Sequence, residues 1–347
     1  MKTQLFNATT QKENGVRLAG SVIRAGGLVA FPTETVYGLG ANGLSGEAVA
    51  KIFQAKGRPS DNPLILHIAK KSDAKDLWTK VPPMAQALMD TFWPGPLTLI
   101  FNHSAQVPPE VTAGLPTVAL RMPDHKTALA LIRAAGVPIA APSANLSGRP
   151  SPTTAQHVLQ DLEGRIDIVL DGGPCRVGLE STVLSLCGAP TILRPGGVTR
   201  EMLEAVIGPV ELSPAVLAPL QEGAAAPSPG MKYKHYAPKA QVLIADGTPR
   251  EAAERICRAY DTATLAGSRC MILATRETQG FYRNRAYAII GSRRDPSTLC
   301  ANLFAALRQY GEDADLLYCE ALPEEEMGLA YMNRLLRAAG FQHLEHP

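Results

Sequence analysis

The spacing of apolar and polar positions divides the chain into three stretches. Through the first 210 residues, short runs of aliphatic and β-branched residues alternate with longer stretches of helical period. The runs at 28–31, 64–68, 97–101, 117–122, 139–141, 166–170, 182–186 and 191–193 read as strands. Helical spacing marks 15–25, 45–56, 83–92, 126–135, 153–162 and 200–207. The helix at 45–56 shows the reasoning: Ser45 is placed to cap it, Val49, Ile52 and Phe53 share one face, and Gly57 supplies the stop. Strands and helices mixed in this way predict the α/β class with a large mixed sheet.

Periodicity stops between 208 and 238, where Pro and Ala crowd together. A connection of that length is a linker or a functional lid. Its final part, Met231-Lys-Tyr-Lys-His-Tyr-Ala-Pro238, is too basic and aromatic for a spacer, which favours the lid. The pattern then resumes, with strands at 241–245, 270–274, 286–290 and 316–320 and helices at 249–260, 297–310 and 324–339. That predicts a small open α/β sheet. The expected division is 1–208, a linker at 209–238, and 239–347.

A length of 347 residues fits two domains. The net charge of +2 gives no global attraction to nucleic acid or anionic lipid, so an anion site has to be built from a few Lys and Arg. Six scattered cysteines, without CxxC or zinc spacing, read as reduced thiols in a cytoplasm, with no structural zinc. The polar start has no apolar h-region, and no apolar run approaches the roughly 18–20 residues of a membrane helix.

Gly38-Leu-Gly-Ala-Asn-Gly43 fits the dinucleotide fingerprint, but Thr33, Glu34 and Thr35 separate it from the preceding strand and no second βαβ half follows. A tight turn is the favoured reading of these glycines. The P-loop and nucleophile-elbow patterns do not occur. What remains is a set of polar segments at strand ends, the places where open α/β sheets bind ligands. Each has a plain alternative. Lys56 and Arg58 complement a helix dipole, and Ser143 and Asn145 form an Asx/ST turn. His67 sits among Leu64, Ile65, Leu66 and Ile68 as a core histidine, and Arg121 makes a surface ion pair. Glu34 and Glu180 resemble acid/base groups, yet neither has a partner at a diagnostic spacing.

Together these segments carry a resemblance. They comprise Pro32-Thr-Glu-Thr-Val-Tyr-Gly-Leu-Gly40, Lys56-Gly-Arg-Pro59, Asn62-Pro-Leu64, Trp93-Pro-Gly-Pro-Leu-Thr98, Ala141-Pro-Ser-Ala-Asn145, Glu180-Ser-Thr182 and Arg194-Pro-Gly196. In this order the chain from Phe31 to about Arg200 resembles the YrdC-like domain of threonylcarbamoyl-AMP synthases. Ser228-Pro-Gly-Met-Lys-Tyr-Lys-His-Tyr-Ala-Pro238, followed by a small α/β unit, resembles the two-domain form of that family.

The resemblance implies a YrdC-like twisted mixed sheet flanked by helices, joined by a long linker to a smaller Rossmann-like α/β domain. It also implies L-threonine, bicarbonate and ATP as substrates, with Mg2+ accompanying the ATP and no protein metal site. The product would pass to a separate tRNA-modifying threonylcarbamoyltransferase complex. Carried over by position, Lys56 and Arg58 are catalytic. Arg58, Asn62, Thr117, Ser143, Asn145, Ser151, Arg194 and Tyr236 face ATP, Tyr236 as part of a lid. Thr35, His67, Arg121, the backbone at Ala141, and Ser181 hold threonine. Two rivals remain, an RNA-binding module and a carbamoyltransferase. Near-neutral charge and the lack of aromatic stacking motifs weigh against the first, the lack of cysteine-rich zinc modules against the second.

Overall fold

The structure, a computed structural model, describes residues 2–8, 12–218 and 236–344. The chain divides into two compact units. The first runs to Val216, less Gly148–Pro150; the second takes those three residues and most of the chain beyond 216.

Among the described residues the first unit has one eleven-stranded mixed sheet. Its strands are β1 (Gln4–Asn7), β2 (Val29–Phe31), β3 (Gly38–Asn42), β4 (Ile65–His67), β5 (Leu97–Asn102), β6 (Thr117–Arg121), β7 (Ile139–Ala140), β8 (Ile168–Asp171), β9 (Thr182–Ser185), β10 (Thr191–Arg194) and β11 (Glu211–Leu212). They lie in the order β1-β8-β2-β3-β7-β4-β6-β5-β9-β10-β11. Helices Lys12–Arg24 and Lys126–Ala135 share a core of Val16, Ala19, Ile23, Ala128, Leu131 and Ile132 with Val29, Phe31 and Ile168 of the sheet. Helices Gly46–Lys56, Pro83–Phe92 and Ala155–Leu162 contribute Val49, Ile52, Leu88 and Val158 to a larger core that includes Leu39, Leu66, Leu99 and Leu120.

Helix ends follow the local chemistry. Ser45 Oγ accepts from the Ala48 amide, and Gly57 closes the same helix at φ 62°, in the left-handed region where a side chain is strained. Thr154 and Thr199 cap their helices through the same kind of side-chain acceptor.

The expectation of a tight turn holds for Gly43, which lies in the turn after β3, but not for Gly38 and Gly40: Gly38–Asn42 is β3, antiparallel to both β2 and β7. Space rather than backbone freedom requires these glycines. A Cβ on Gly40 would lie 2.7 Å from Ile139 Cγ2 and 2.9 Å from Phe31 Cε1, and one on Gly38 3.2 Å from Phe31 Cζ. The pattern also gave no strand at β1, a short, largely exposed segment that pairs at the sheet edge with β8.

In the second unit β12 (Gln241–Ala245), β13 (Cys270–Thr275), β14 (Tyr287–Gly291) and β15 (Leu316–Glu320) form an all-parallel sheet in the order β12-β15-β13-β14. Helices Pro249–Leu265, Pro296–Tyr310 and Glu326–Ala339 complete it. The Thr248–Glu251 capping box and Pro249 start the first of these. Of the expected lid, 219–235 lies outside the described residues.

Candidate active site

The strand ends that carry the polar segments do not lie on one edge of the sheet. The pairings set β4, β6 and β10 antiparallel to β2 and β7. The ends that carry His67, Arg121 and Arg194 therefore point opposite to those that carry Phe31 and Ala140. Segments between strands, rather than a single edge, bring the polar groups together.

Lys56 is the last residue of its helix and is 3% exposed, so it is not a solvated cation completing the helix dipole. Its ammonium donates to the carbonyls of Ser143 (2.5 Å) and Asn145 (2.7 Å), with Asn145 Oδ1 at 3.5 Å. The amide of Ser147 returns a bond to the Lys56 carbonyl. Lys56 thereby holds the Ser143–Asn145 segment, which an Asx/ST turn alone would not fix. Arg58 donates to the Asn62 carbonyl at 3.4 Å and stands 5.9 Å from the Phe53 ring centre; Asn62 is wholly buried.

His67 and Arg121 are register neighbours on the parallel strands β4 and β6. The Phe31 ring meets His67 edge-on at 5.9 Å. Burial, then the Arg121 charge, push the His67 pKa down to about 3, so the imidazole is neutral at physiological pH. Its Nδ1 has no hydrogen-bond partner among the described residues, unlike a satisfied core histidine. Arg121 is 3% exposed, and Nε donates to the Gly95 carbonyl at 3.3 Å. Its partner is Glu34, whose Oε1 lies 2.8 Å from Nη2. This buried ion pair replaces the expected surface one.

Thr35 is buried and its hydroxyl lies 2.9 Å from that of Thr33. Ser181 is buried against Thr98, hydroxyl to hydroxyl at 2.7 Å. Arg194 donates to Ser181 twice, from Nη2 to Oγ (3.2 Å) and from Nε to the carbonyl (3.1 Å). Ser151 donates to Glu180 Oε1, giving that carboxylate the partner its spacing concealed. The Ala141 amide already donates to Ile65, so a ligand there would meet the carbonyl. Thr117 opens β6 while Arg121 closes it, about 13 Å apart at the rise of a strand. Tyr236 packs within the second unit, its ring 4.9 Å from Phe304 and 6.0 Å from the Arg334 guanidinium carbon.

Sequence reasoning found no partner for Glu34 and gave no role to Thr98 or Tyr37. Glu34 pairs with Arg121; Thr98 holds Ser181; and Tyr37 donates to the Gly173 carbonyl at 2.8 Å, tying the Pro32–Tyr37 segment to the end of β8. Burial raises the Tyr37 phenol far above its usual range, so it acts only as a neutral hydrogen-bonding group. Among the described residues no three His, Cys, Asp or Glu gather to hold a metal ion. The site offers buried cations, the carboxylates of Glu34 and Glu180, hydroxyls and one neutral imidazole; the cations suit binding and positioning of anions.

Two family models cover most of the chain. One, described as Telomere recombination and named for Sua5, YciO and YrdC, matches residues 21–196; it defines the class as YrdC-like. The other is the threonylcarbamoyl-AMP synthase C-terminal domain, at 198–340. The chain belongs to the threonylcarbamoyl-AMP synthase family in its two-domain form. It is 50% identical over 325 residues to the threonylcarbamoyl-AMP synthase of Bacillus subtilis, covering 93% of this chain and 92% of that one. To the Pyrococcus abyssi enzyme it is 45% identical over 329 residues, 94% of each. The crystal structure of P. abyssi Sua5 complexed with L-threonine superposes with a TM-score of 0.90, at 44% identity over 96% of both chains.

Proposed function

We propose that this chain joins L-threonine, bicarbonate and ATP into threonylcarbamoyl-AMP, releasing pyrophosphate, in the cytoplasm. The product would supply a separate threonylcarbamoyltransferase complex that modifies tRNA. The observation that carries the reading is the buried cation set. Lys56, Arg121 and Arg194 are each at most 5% exposed and are held by backbone carbonyls, the Ser181 hydroxyl and the Glu34 carboxylate, in a chain 44% identical to a protein crystallised with L-threonine.

The chemistry suits such a site. The threonine ammonium releases one proton to solvent, and the free amine and bicarbonate give a carbamate with loss of water. A carbamate oxygen then attacks the α-phosphorus of ATP, and pyrophosphate leaves. The nucleophile is already anionic, so no strong base is needed. The difficulty is bringing a carbamate, a carboxylate and a triphosphate together against their mutual repulsion, which fixed cations reduce. In this reading Arg121 takes the threonine carboxylate, with Thr35, His67, Ser181 and the Ala141 carbonyl around the rest of the amino acid. Arg58, Asn62, Thr117, Ser143, Asn145, Ser151 and Arg194 line the nucleotide. Lys56 fixes the 143–145 backbone beside the reacting groups. Magnesium, which keeps most of its ligands as water and phosphate oxygen, arrives with the ATP as part of that substrate.

The test is isotopic. Purified protein given ATP, magnesium, L-threonine and 13C-bicarbonate should yield a nucleotide one mass unit heavier than with ordinary bicarbonate, at the mass of threonylcarbamoyl-AMP. Accumulation of ADP or AMP alone, with no labelled adduct, refutes the assignment.

A further inference from the structure

Glu34 is a buried carboxylate without the donors that usually offset the cost of burying a charge. It is 2% exposed, and neither carboxylate oxygen has a hydrogen-bond partner among the described residues. Its one strong contact is the 2.8 Å approach of Arg121 Nη2, an ion pair that lacks hydrogen-bond geometry. Its backbone is tied down, since the Val177 amide donates to the Glu34 carbonyl at 2.7 Å. A buried carboxylate normally gathers two or three donors, so this one keeps unused acceptor capacity beside a cation.

The neighbouring groups add no compensating charge. His67, beside Arg121, is neutral at physiological pH. Burial, the largest effect on His125, lowers its pKa despite the Glu34 charge, and so favours its neutral form. Burial pushes the Cys175 thiol up to about 12, so it stays protonated. Glu34 and Arg121 therefore present one negative and one positive charge side by side, with a net charge near zero. A simple carboxylate entering here gains Arg121 but meets Glu34 as a repelling neighbour. An amino-acid zwitterion satisfies both groups, its carboxylate on Arg121 and its ammonium on Glu34.

We infer that Glu34 receives the substrate's ammonium group and, paired with Arg121, selects an amino acid over the corresponding carboxylic acid. This rests on the reading of Arg121 as the threonine carboxylate site. It gives Glu34 a binding role that the carboxylate contact alone does not require.

The experiment compares L-threonine with (R)-3-hydroxybutyrate, which is threonine without its amino group, by isothermal titration of the full chain. Wild type should bind threonine at least thirtyfold more tightly. Glu34→Gln keeps the size and removes the charge; it should weaken threonine at least tenfold and leave 3-hydroxybutyrate unchanged or tighter. An equal loss for both ligands would mean that Glu34 only positions Arg121, and unchanged threonine binding would mean that it does neither; each overturns the proposal. If Glu34→Gln does not fold, the wild-type chain still decides, because equal affinity for the two ligands refutes it. Arg121→Ala separates the two levels: undiminished threonine binding in that variant refutes the carboxylate assignment itself, and the proposal falls with it.

Discussion

Each buried charge in the first unit has a determinate cost if its partner is removed. Lys56 satisfies two carbonyls with charge-assisted bonds, and Lys56→Ala strands both in a buried site. That variant should lose about 2–3 kcal/mol of unfolding free energy, measured by urea denaturation, in addition to its loss of turnover. Arg58→Ala removes a group expected to stabilise developing phosphate charge and should cost about 3 kcal/mol in kcat/KM, measured with saturating threonine. His67 gives a pH signature. Its folded pKa of about 3 lies below the ordinary value of 6.5, so between those limits the unfolded chain binds the extra proton. Its contribution to stability is complete above pH 6.5 and is lost as pH falls toward 3, by up to about 1.4 kcal/mol per pH unit. His67→Gln should flatten the acid limb of a stability–pH profile; an identical slope in variant and wild type would show that His67 is not the titrating group.

At the scale of elements, the glycines of β3 make the sharpest prediction. Gly40→Ala puts a methyl 2.7 Å from Ile139 and 2.9 Å from Phe31, in the middle of a sheet that cannot move aside. It should cost about 1–3 kcal/mol, read as a lowered melting temperature. The same strand shows where sequence patterning stops working. The helices Pro83–Phe92, Lys126–Ala135 and Arg200–Ile207 and the strands Gln241–Ala245 and Leu316–Glu320 were legible residue for residue, because an apolar stripe or run ends there in a capping or breaking residue. Gly38–Asn42 has two glycines and no β-branched residue, so its strand character comes mainly from neighbours on β2 and β7. The site behaved similarly. Arg121, His67 and Ser181 stand out as polar residues at strand ends, but the pairing of Glu34 with Arg121 and of Glu180 with Ser151 joins distant parts of the chain. No local spacing encodes such pairs; only the sheet order produces them.

For the molecule as a whole, charge and site point the same way. A net charge of +2 over 347 residues, with the critical cations buried and paired, leaves little field for a polyanion. Fluorescence anisotropy with single-stranded RNA at 150 mM salt should therefore detect only weak, salt-labile binding; sub-micromolar affinity there would revive the RNA-binding alternative. The central claim is that threonine activates ATP turnover at this site. The most direct measurement is the rate of pyrophosphate release by purified protein in ATP, magnesium and bicarbonate, with and without L-threonine. Release should require threonine and bicarbonate together and saturate with each. Release at the same rate without threonine, or none under any of these conditions, would contradict it.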